Sequence, residues 1–294
     1  MRIGWIGTGV MGVAMAGHVQ KGGHDLFIYN RTKDKAKPLM ENGGTWCESP
    51  AEVASNAEVV FTIVGFPKDV EEVYFGKHGI LSKAGPCRIV VDMTTSTPTL
   101  AKRIAQTAKE RGIESLDAPV TGGDIGARKG TLAIMVGGSK EAYQEVLPIM
   151  ELFGKRVAYM GGPGAGQHAK VCNQISVAGT MIGMVESLLY AYKQGLDPEA
   201  IIEVVGSGAG GSWSMNNLAP RVVRGDYKSG FFVEHFVKDM GIALEEANAA
   251  GLSLPGLALI HQLYVALKAQ GFGRFATQSL FLALKSLSES QSDD

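Results

Sequence analysis

The sequence predicts an α/β chain: a mostly parallel sheet with helices on both faces, followed by an all-helical domain joined to it by a long helix. Three observations carry this. Short apolar runs alternate with amphipathic stretches over the first ~160 residues, the pattern of strand–helix repeats. A glycine-dense segment, Gly161-Gly162-Pro163-Gly164-Ala165-Gly166, then interrupts the alternation. Beyond it strand-like runs largely disappear and helical periodicity takes over. The expected domains are 1–162 and 163–294.

The strand candidates are Ile3–Ile6, Leu26–Tyr29, Val59–Val64, Ile89–Val91, Ser115–Ala118, Ala133–Val136 and Val157–Met160. They are near-continuous apolar runs, as expected for strands covered on both faces. Helices are expected at Met11–Lys21, Asp34–Met40, Asp69–Phe75, Thr99–Glu110 and Glu141–Leu152. Ser49-Pro50-Ala51-Glu52 has the form of a capping box with proline at the first helical position. In the second half, one long helix is expected over Gln167–Gln194, with others at Pro198–Val205, Met215–Val223, Val237–Ala249, Leu257–Gln270 and Thr277–Leu287. The polar tail Ser288–Asp294 is expected to fray.

Composition narrows the function classes. The chain has 294 residues, 45% hydrophobic and 19% charged, which is globular rather than disordered. A formal net charge of −1 gives no global field toward nucleic acid or anionic membranes, so neither partner is expected. Cys47, Cys87 and Cys172 are far apart and form no disulfide framework or CxxC metal site. With no signal peptide visible, the chain fits a reducing compartment and a cytoplasmic location is expected. Ile175–Tyr192 is apolar, but Glu186 lies inside it, which favours a buried helix over a spanning one.

Gly7-Thr8-Gly9-Val10-Met11-Gly12 is a GxGxxG. Alone it is a weak signal among 39 glycines; its place after the first strand and before an amphipathic helix makes it strong. Gly7 permits the tight turn, Gly9 lets the backbone approach a pyrophosphate, and Gly12 allows close helix–strand packing. The helix N-terminal amides face the phosphates. These features make the first domain a Rossmann dinucleotide-binding domain.

The end of the second strand bears on which dinucleotide. An NAD site usually places a carboxylate about 20 residues on; here the strand ends Tyr29-Asn30-Arg31-Thr32. Arg31 can pair with a 2′-phosphate, while Asn30 and Thr32 supply further donors. This favours NADP. The other reading, a surface arginine beside a neutral ribose contact, leaves NAD open. Val64-Gly65-Phe66-Pro67 and Asp92-Met93-Thr94-Thr95-Ser96 follow the next two strands, where open parallel sheets bind ligands.

Two further segments stand out. Asp117-Ala118-Pro119-Val120-Thr121-Gly122-Gly123 ends a strand with a hydroxyl and exposed amides that can receive a small carboxylate. Gly162–Asn173 opens the long helix and places Lys170 and Asn173 three apart on one face. With the glycine loop, Gly130-Thr131-Leu132 and Lys238-Asp239 in the same order, the chain resembles the β-hydroxyacid dehydrogenase family over nearly its whole length. That family includes 3-hydroxyisobutyrate dehydrogenases, tartronate semialdehyde reductases and glyoxylate/succinic semialdehyde reductases.

The resemblance implies a Rossmann domain followed by an all-helical domain. It implies Lys170 as catalytic acid/base, Asn173 as a substrate contact, and Thr121, Gly122 and Gly123 as the carboxylate site. Thr95 matches a nicotinamide-side position and Lys238 a cofactor-side position. Asn30-Arg31-Thr32 resembles the NADP-using semialdehyde reductases. Thr121 departs from the serine that many members carry, and the methyl trims the pocket. Phe231–Phe236 maps onto no single substrate subgroup.

The chemistry agrees: reducing a carbonyl needs hydride on carbon and a proton on oxygen, and a lysine can donate that proton. The expectation is hydride transfer between NADP(H) and a small 3-hydroxy acid, semialdehyde or 2-oxoacid. Two alternatives are an imine reductase, a class that commonly lacks this lysine, and a non-catalytic NADP-binding protein, which needs neither Lys170 nor Asn173. Decarboxylation of 6-phosphogluconate needs a larger helical domain than this chain offers. The six histidines form no HxH or HExxH, so no metal is expected. Apolar helices near the end point to a homodimer or homotetramer.

Overall fold

The computed structural model describes residues 1–83, 85–228 and 230–288. The chain divides into two compact units, Met1–Lys170 and Val171–Asp294.

The first unit is built on a nine-stranded sheet. Its elements are β1 (Arg2–Ile6), α1 (Gly12–Lys21), β2 (Asp25–Tyr29), α2 (Lys37–Glu41), β3 (Thr45–Trp46), α3 (Pro50–Asn56), β4 (Val59–Thr62), α4 (Pro67–Phe75), β5 (Ile89–Asp92), α5 (Pro98–Lys109), β6 (Glu114–Asp117), β7 (Val120–Thr121), α6 (Gly123–Lys129), β8 (Leu132–Gly138), α7 (Lys140–Met150) and β9 (Gly154–Gly161). The order β3-β2-β1-β4-β5-β6 is the parallel doubly wound order, reversing direction of travel at β1. β8 returns antiparallel and β9 lies parallel to β8. β8 pairs in one unbroken register with β6 (Leu116↔Gly138) and β7 (Thr121↔Ala133), and the Met135 amide donates to Pro119 O at 3.0 Å between them. Residues 116–121 thus form one line along β8, which leaves β5 after Ala118.

Both sheet faces are buried. Ile3, Trp5, Phe61 and Val91 pack on one side, with the Trp5 and Phe61 rings stacked at 5.4 Å and Phe153 edge-on to both. Ile6, Val60, Val90 and Val53 pack on the other. The Ser49 hydroxyl accepts the Glu52 amide at 3.1 Å and caps α3, while the Glu52 carboxylate reaches back to the Glu48 amide at 2.7 Å.

Helix α8 (Ala165–Lys193) begins in the first unit and runs on as the longest element of the second. The second unit also holds α9 (Pro198–Ser207), α10 (Trp213–Asn217), α11 (Ala219–Val223), α12 (Val233–Ala249), α13 (Pro255–Ala269) and α14 (Leu280–Ser288). Ala178, Met181, Val185 and Leu188 of α8 share its core with Phe236 and Met240 of α12 and Ile260 and Tyr264 of α13. The α8 helix is long and apolar enough to cross a membrane by length and composition; this packing accounts for its apolar side.

All seven expected strands form, but Val59–Val64 stops pairing at Thr62. The expected single helix Met215–Val223 is two: Pro220 has no N–H for the Asn216 carbonyl, and the chain breaks at Leu218 between α10 and α11. Strands β3 and β7, of two residues each, and helix α6 were not expected. Of the polar tail, residues 289–294 lie outside the described residues.

A buried polar network closes the carboxyl ends of β4 and β5. Asp92 Oδ1 accepts the Thr62 hydroxyl at 2.9 Å and the Thr94 amide at 3.1 Å; the Tyr74 hydroxyl lies 3.2 Å from Thr62 Oγ1. Burial pushes the Asp92 carboxyl up to about 6, against the hydrogen bonds from Thr94 and Thr62, and the Asp117 charge adds to the rise. A carboxyl raised on folding favours the folded state most below its unfolded value near 3.9, and that contribution is lost as pH rises through the folded value. The shift corresponds to about 3 kcal/mol. Urea unfolding should therefore show the stability of wild type relative to Asp92→Asn falling by about 2 kcal/mol between pH 4 and pH 7; a difference independent of pH would show that Asp92 keeps an ordinary carboxyl in the fold.

Candidate active site

The glycine loop sits between the carboxyl ends of β2 and β4. The Gly7 amide donates to Tyr29 O at 3.0 Å, and Gly7 has φ +101°, a left-handed conformation that a side chain resists. A Cβ on Gly12 would stand 2.1 Å from Gly7 O, so helix α1 can reach the strand end only with glycine there. Gly9 differs: a Cβ would meet nothing within 4 Å, and Gly9 and Val10 face outward. The first glycine turns the chain and the third admits the helix. The second leaves open space beside the first turn of α1, where helix amides lack partners within the helix. Thr8 Oγ1 is buried and has no hydrogen-bond partner among the described residues. A diphosphate fits this loop: it fills the space over Gly9 and supplies an acceptor for Thr8.

At the end of β2 the three polar residues do different things. Asn30 Oδ1 accepts the Thr8 amide at 3.0 Å, and its Nδ2 donates to Thr32 O at 2.8 Å. Its carboxamide therefore fastens the glycine loop to β2, a task the sequence did not display. Arg31 extends outward, 88% exposed, with Asp69 at 3.4 Å. A contact so exposed holds the guanidinium weakly and leaves it able to turn to an anion. Thr32 is exposed beside it.

The next two strand ends are tied together. The Val64 amide donates to Thr94 Oγ1 at 3.0 Å, which draws the chain after β4 toward the loop after β5 that carries Thr95. Gln167, from the first turn of α8, holds the same loop: its Nε2 donates to Thr94 O at 2.8 Å, and its Oε1 accepts the Ser96 amide at 3.0 Å.

The start of α8 is fastened to the end of β6 by Asp117. Asp117 Oδ1 accepts the Gly164 amide and Oδ2 the Gln167 amide, each at 2.8 Å. Burial raises the Asp117 carboxyl above its ordinary value, opposed by these amides and those of Gly166 and Asp117 itself. The approach is as close as backbone permits. A Cβ on Gly166 would lie 2.3 Å from Asp117 O and 2.5 Å from Met135 O. One turn along, Lys170 is buried and its Nζ donates to Val120 O at 3.0 Å. That carbonyl immediately precedes Thr121, Gly122 and Gly123. Gly122 has φ +123° and turns the chain into α6. Lys170 is thereby brought to the turn with which the sequence associates it.

Asn173 lies three residues beyond Lys170 on the same helix and is partly buried. Lys238 belongs to the second unit, on α12, where its Nζ pairs with Asp239 Oδ1 at 3.0 Å. Gln174 Nε2 donates to Asp239 Oδ2 at 2.6 Å, so the carboxylate orients Lys238 from a buried position. His168 and Cys172 are exposed on α8. Burial, with Lys238 next, pushes the His235 imidazole below its ordinary value. Among the described residues no group of three or more His, Cys, Asp or Glu could hold a metal.

The sequence reading missed Asp92, Gln167 and the capping by Asp117. A faint signal was present: Thr62 and Asp92 are the polar last residues of otherwise apolar strands, and Asp117 ends the strand after them. Gln167 carried none beyond its place in the helix's first turn.

Family profiles and known proteins match this chain over nearly its whole length. The family profile for the NAD binding domain of 6-phosphogluconate dehydrogenase matches residues 2–161. That for the NAD-binding region of NADP-dependent 3-hydroxyisobutyrate dehydrogenase matches residues 164–283. The probable 3-hydroxyisobutyrate dehydrogenase-like 1, mitochondrial, of Arabidopsis thaliana is 48% identical over 97% of this chain and 86% of its own length. The 2-hydroxy-3-oxopropionate reductase of Escherichia coli is 35% identical over 97% of each. The solved structure of Mycobacterium tuberculosis 3-hydroxyisobutyrate dehydrogenase with L-serine is 27% identical, with a TM-score of 0.85 over 97% of this chain and 99% of that one. Two profiles in tandem, relatives at this identity and a sheet with this strand order lead to one conclusion: the chain belongs to the β-hydroxyacid dehydrogenase family, whose members are NAD(P)-dependent oxidoreductases.

Proposed function

We propose that this protein reversibly transfers hydride between NADP(H) and a small 3-hydroxy acid, its semialdehyde or a 2-oxoacid, with Lys170 as general acid and base. The observation that carries the reading is the hydrogen bond from Lys170 Nζ to Val120 O, which sets an ammonium beside the Thr121–Gly123 turn. In this reading the Thr121 hydroxyl and the Gly122 and Gly123 amides receive the substrate carboxylate, and Asn173 orients the oxygen that reacts. In the reducing direction Lys170 donates its proton to the carbonyl oxygen. In the oxidising direction its amine takes the hydroxyl proton. The nicotinamide, when bound, supplies or accepts the hydride.

The cofactor assignment follows the residues that line its expected path. The Gly7–Gly12 loop, with Thr8, Gly9, Val10 and Met11, receives the diphosphate. Val64 and Thr95 flank the remainder, and Lys238 is the further cofactor-side residue that the family resemblance implies. Arg31 and Thr32 favour the 2′-phosphate of NADP, as does the absence of a carboxylate at the end of β2; Asn30 contributes by holding the loop. The match to an NADP-dependent family profile supports the same choice. NAD remains the competing cofactor in any assay.

We also infer a homodimer or homotetramer formed through the second unit, because Tyr190, Val204, Trp213 and Leu259 expose between half and about two thirds of their surface there. A cytoplasmic location is proposed with it: Cys47, Cys87 and Cys172 are all free thiols.

Oxidation of NADPH and NADH should be followed against glyoxylate, succinic semialdehyde, tartronate semialdehyde and methylmalonate semialdehyde. Wild type should turn over at least one of them with higher kcat/KM for NADPH. Lys170→Ala should lose roughly 10²–10⁴-fold in kcat with cofactor affinity kept, and Gly9→Ala should weaken cofactor binding without loss of stability. No turnover across the panel with NADPH tightly bound would overturn the small-acid reading.

A further inference from the structure

We propose that Gln167 is a positioning residue of the reaction: its carboxamide fixes the loop that carries Thr95 relative to the helical turn that carries Lys170. The proposal rests on the reading above, in which Lys170 exchanges the proton and Thr95 lies on the nicotinamide side. Gln167 is 1% exposed and stands three residues before Lys170, so the two share a face of α8. Its two polar atoms bracket Thr95. Nε2 donates to the carbonyl of the residue before it and Oε1 accepts the amide of the residue after it, at 2.8 and 3.0 Å. A flipped carboxamide would set oxygen against oxygen and N–H against N–H, so one orientation alone satisfies both bonds. The main chain of Gln167 is held as well, by Asp117 Oδ2 at 2.8 Å.

These contacts form a continuous path within the first unit. Asp92 and the Val64 amide hold Thr94 from one side, and Gln167 holds the loop from the other. From Gln167 a single helical turn leads to Lys170, whose Nζ reaches Val120 O. Hydride and proton must arrive at adjacent atoms, and misplacement by about 1 Å costs on the order of 10²-fold in rate. A carboxamide that joins the hydride side to the proton side is suited to keep that spacing.

Two variants test this. Gln167→Met keeps the volume and removes both bonds. Gln167→Glu keeps both while protonated, since a carboxylic acid can donate to Thr94 O and accept from Ser96. Once ionised it cannot donate; the charged groups around the turn are Asp117 on β6, which holds the residue's own amide, Asp92 on β5, which holds the Thr94 amide, Lys170 one turn along the helix, and Lys102 on α5, which packs at Gly164. The readouts are kcat, the isotope effect with nicotinamide deuterated at C4, cofactor affinity by fluorescence, and amide exchange of the cofactor-free protein. Gln167→Met should lower kcat at least tenfold, raise the isotope effect on kcat, change cofactor affinity less than threefold, and speed Ser96 amide exchange at least tenfold with Gly7 unchanged. Gln167→Glu should approach wild-type kcat near pH 5 and lose at least tenfold relative to wild type by pH 8.

A folded Gln167→Met with wild-type kcat and isotope effect would overturn the proposal, as would weaker cofactor binding at unchanged kcat. If that variant does not fold, the pH profile of Gln167→Glu decides, and a profile parallel to wild type sinks the idea. Lys170→Ala in the same assay separates the two claims. Its full activity would refute the acid/base reading, whereas its collapse beside a normal Gln167→Met would refute only the positioning role.

Discussion

Two amide protons from the start of α8 converge on the buried carboxylate of Asp117, and the candidate site depends on that junction. Without it the helix would begin with unpartnered amides against the end of a sheet, at a cost of about 1–3 kcal/mol for each buried group. With it, the strand that ends at Asp117 and the helix that begins at Ala165 become one rigid corner. The positive end of the helix dipole meets a negative charge, which favours the ionised acid even as burial opposes it. Gly166 makes the corner possible, because any side chain there would collide with the carbonyls of Asp117 and Met135.

The first unit uses two helix N-termini in opposite ways. That of α8 is filled by the protein's own carboxylate, so it is a structural joint. Among the described residues, that of α1 has no side chain over Gly9 and carries a buried threonine hydroxyl without a partner, so it is arranged for a ligand's charge. The same electrostatic preference thus serves positioning in one place and binding in the other. Between them the ends of β4 and β5 are laced together by Thr62, Asp92 and Thr94, which converts several strand ends into a single surface.

Much of this could be read from residue order. The glycines at 7, 9 and 12 carried distinct geometric roles, and the structure shows a tight turn, open space and a close helix at those positions. The change at Gly161–Gly166 marked the end of the alternating region because glycine and proline punctuate both strands and helices. What was hidden depends on contacts distant in sequence. Asn30 looked like a ligand donor until its bonds to Thr8 and Thr32 were seen, and Gln167 is meaningful only because Thr94 and Ser96 come to it from more than 70 residues away. The two-residue strands β3 and β7 have too few residues for a periodic signal. Helix α6 was masked by the paired glycines that open it, which read as a turn.

A crystal structure of the protein with NADP⁺ and a small hydroxy acid bound is the most direct test. The diphosphate should lie against Gly9, the acid's carboxylate on the Thr121–Gly123 turn, and the reacting hydroxyl about 3 Å from Lys170 Nζ, with Asp117 still holding the amides of Gly164 and Gln167. A hydroxy acid bound away from that turn, with Lys170 Nζ out of reach of its hydroxyl, would contradict the role proposed for Lys170.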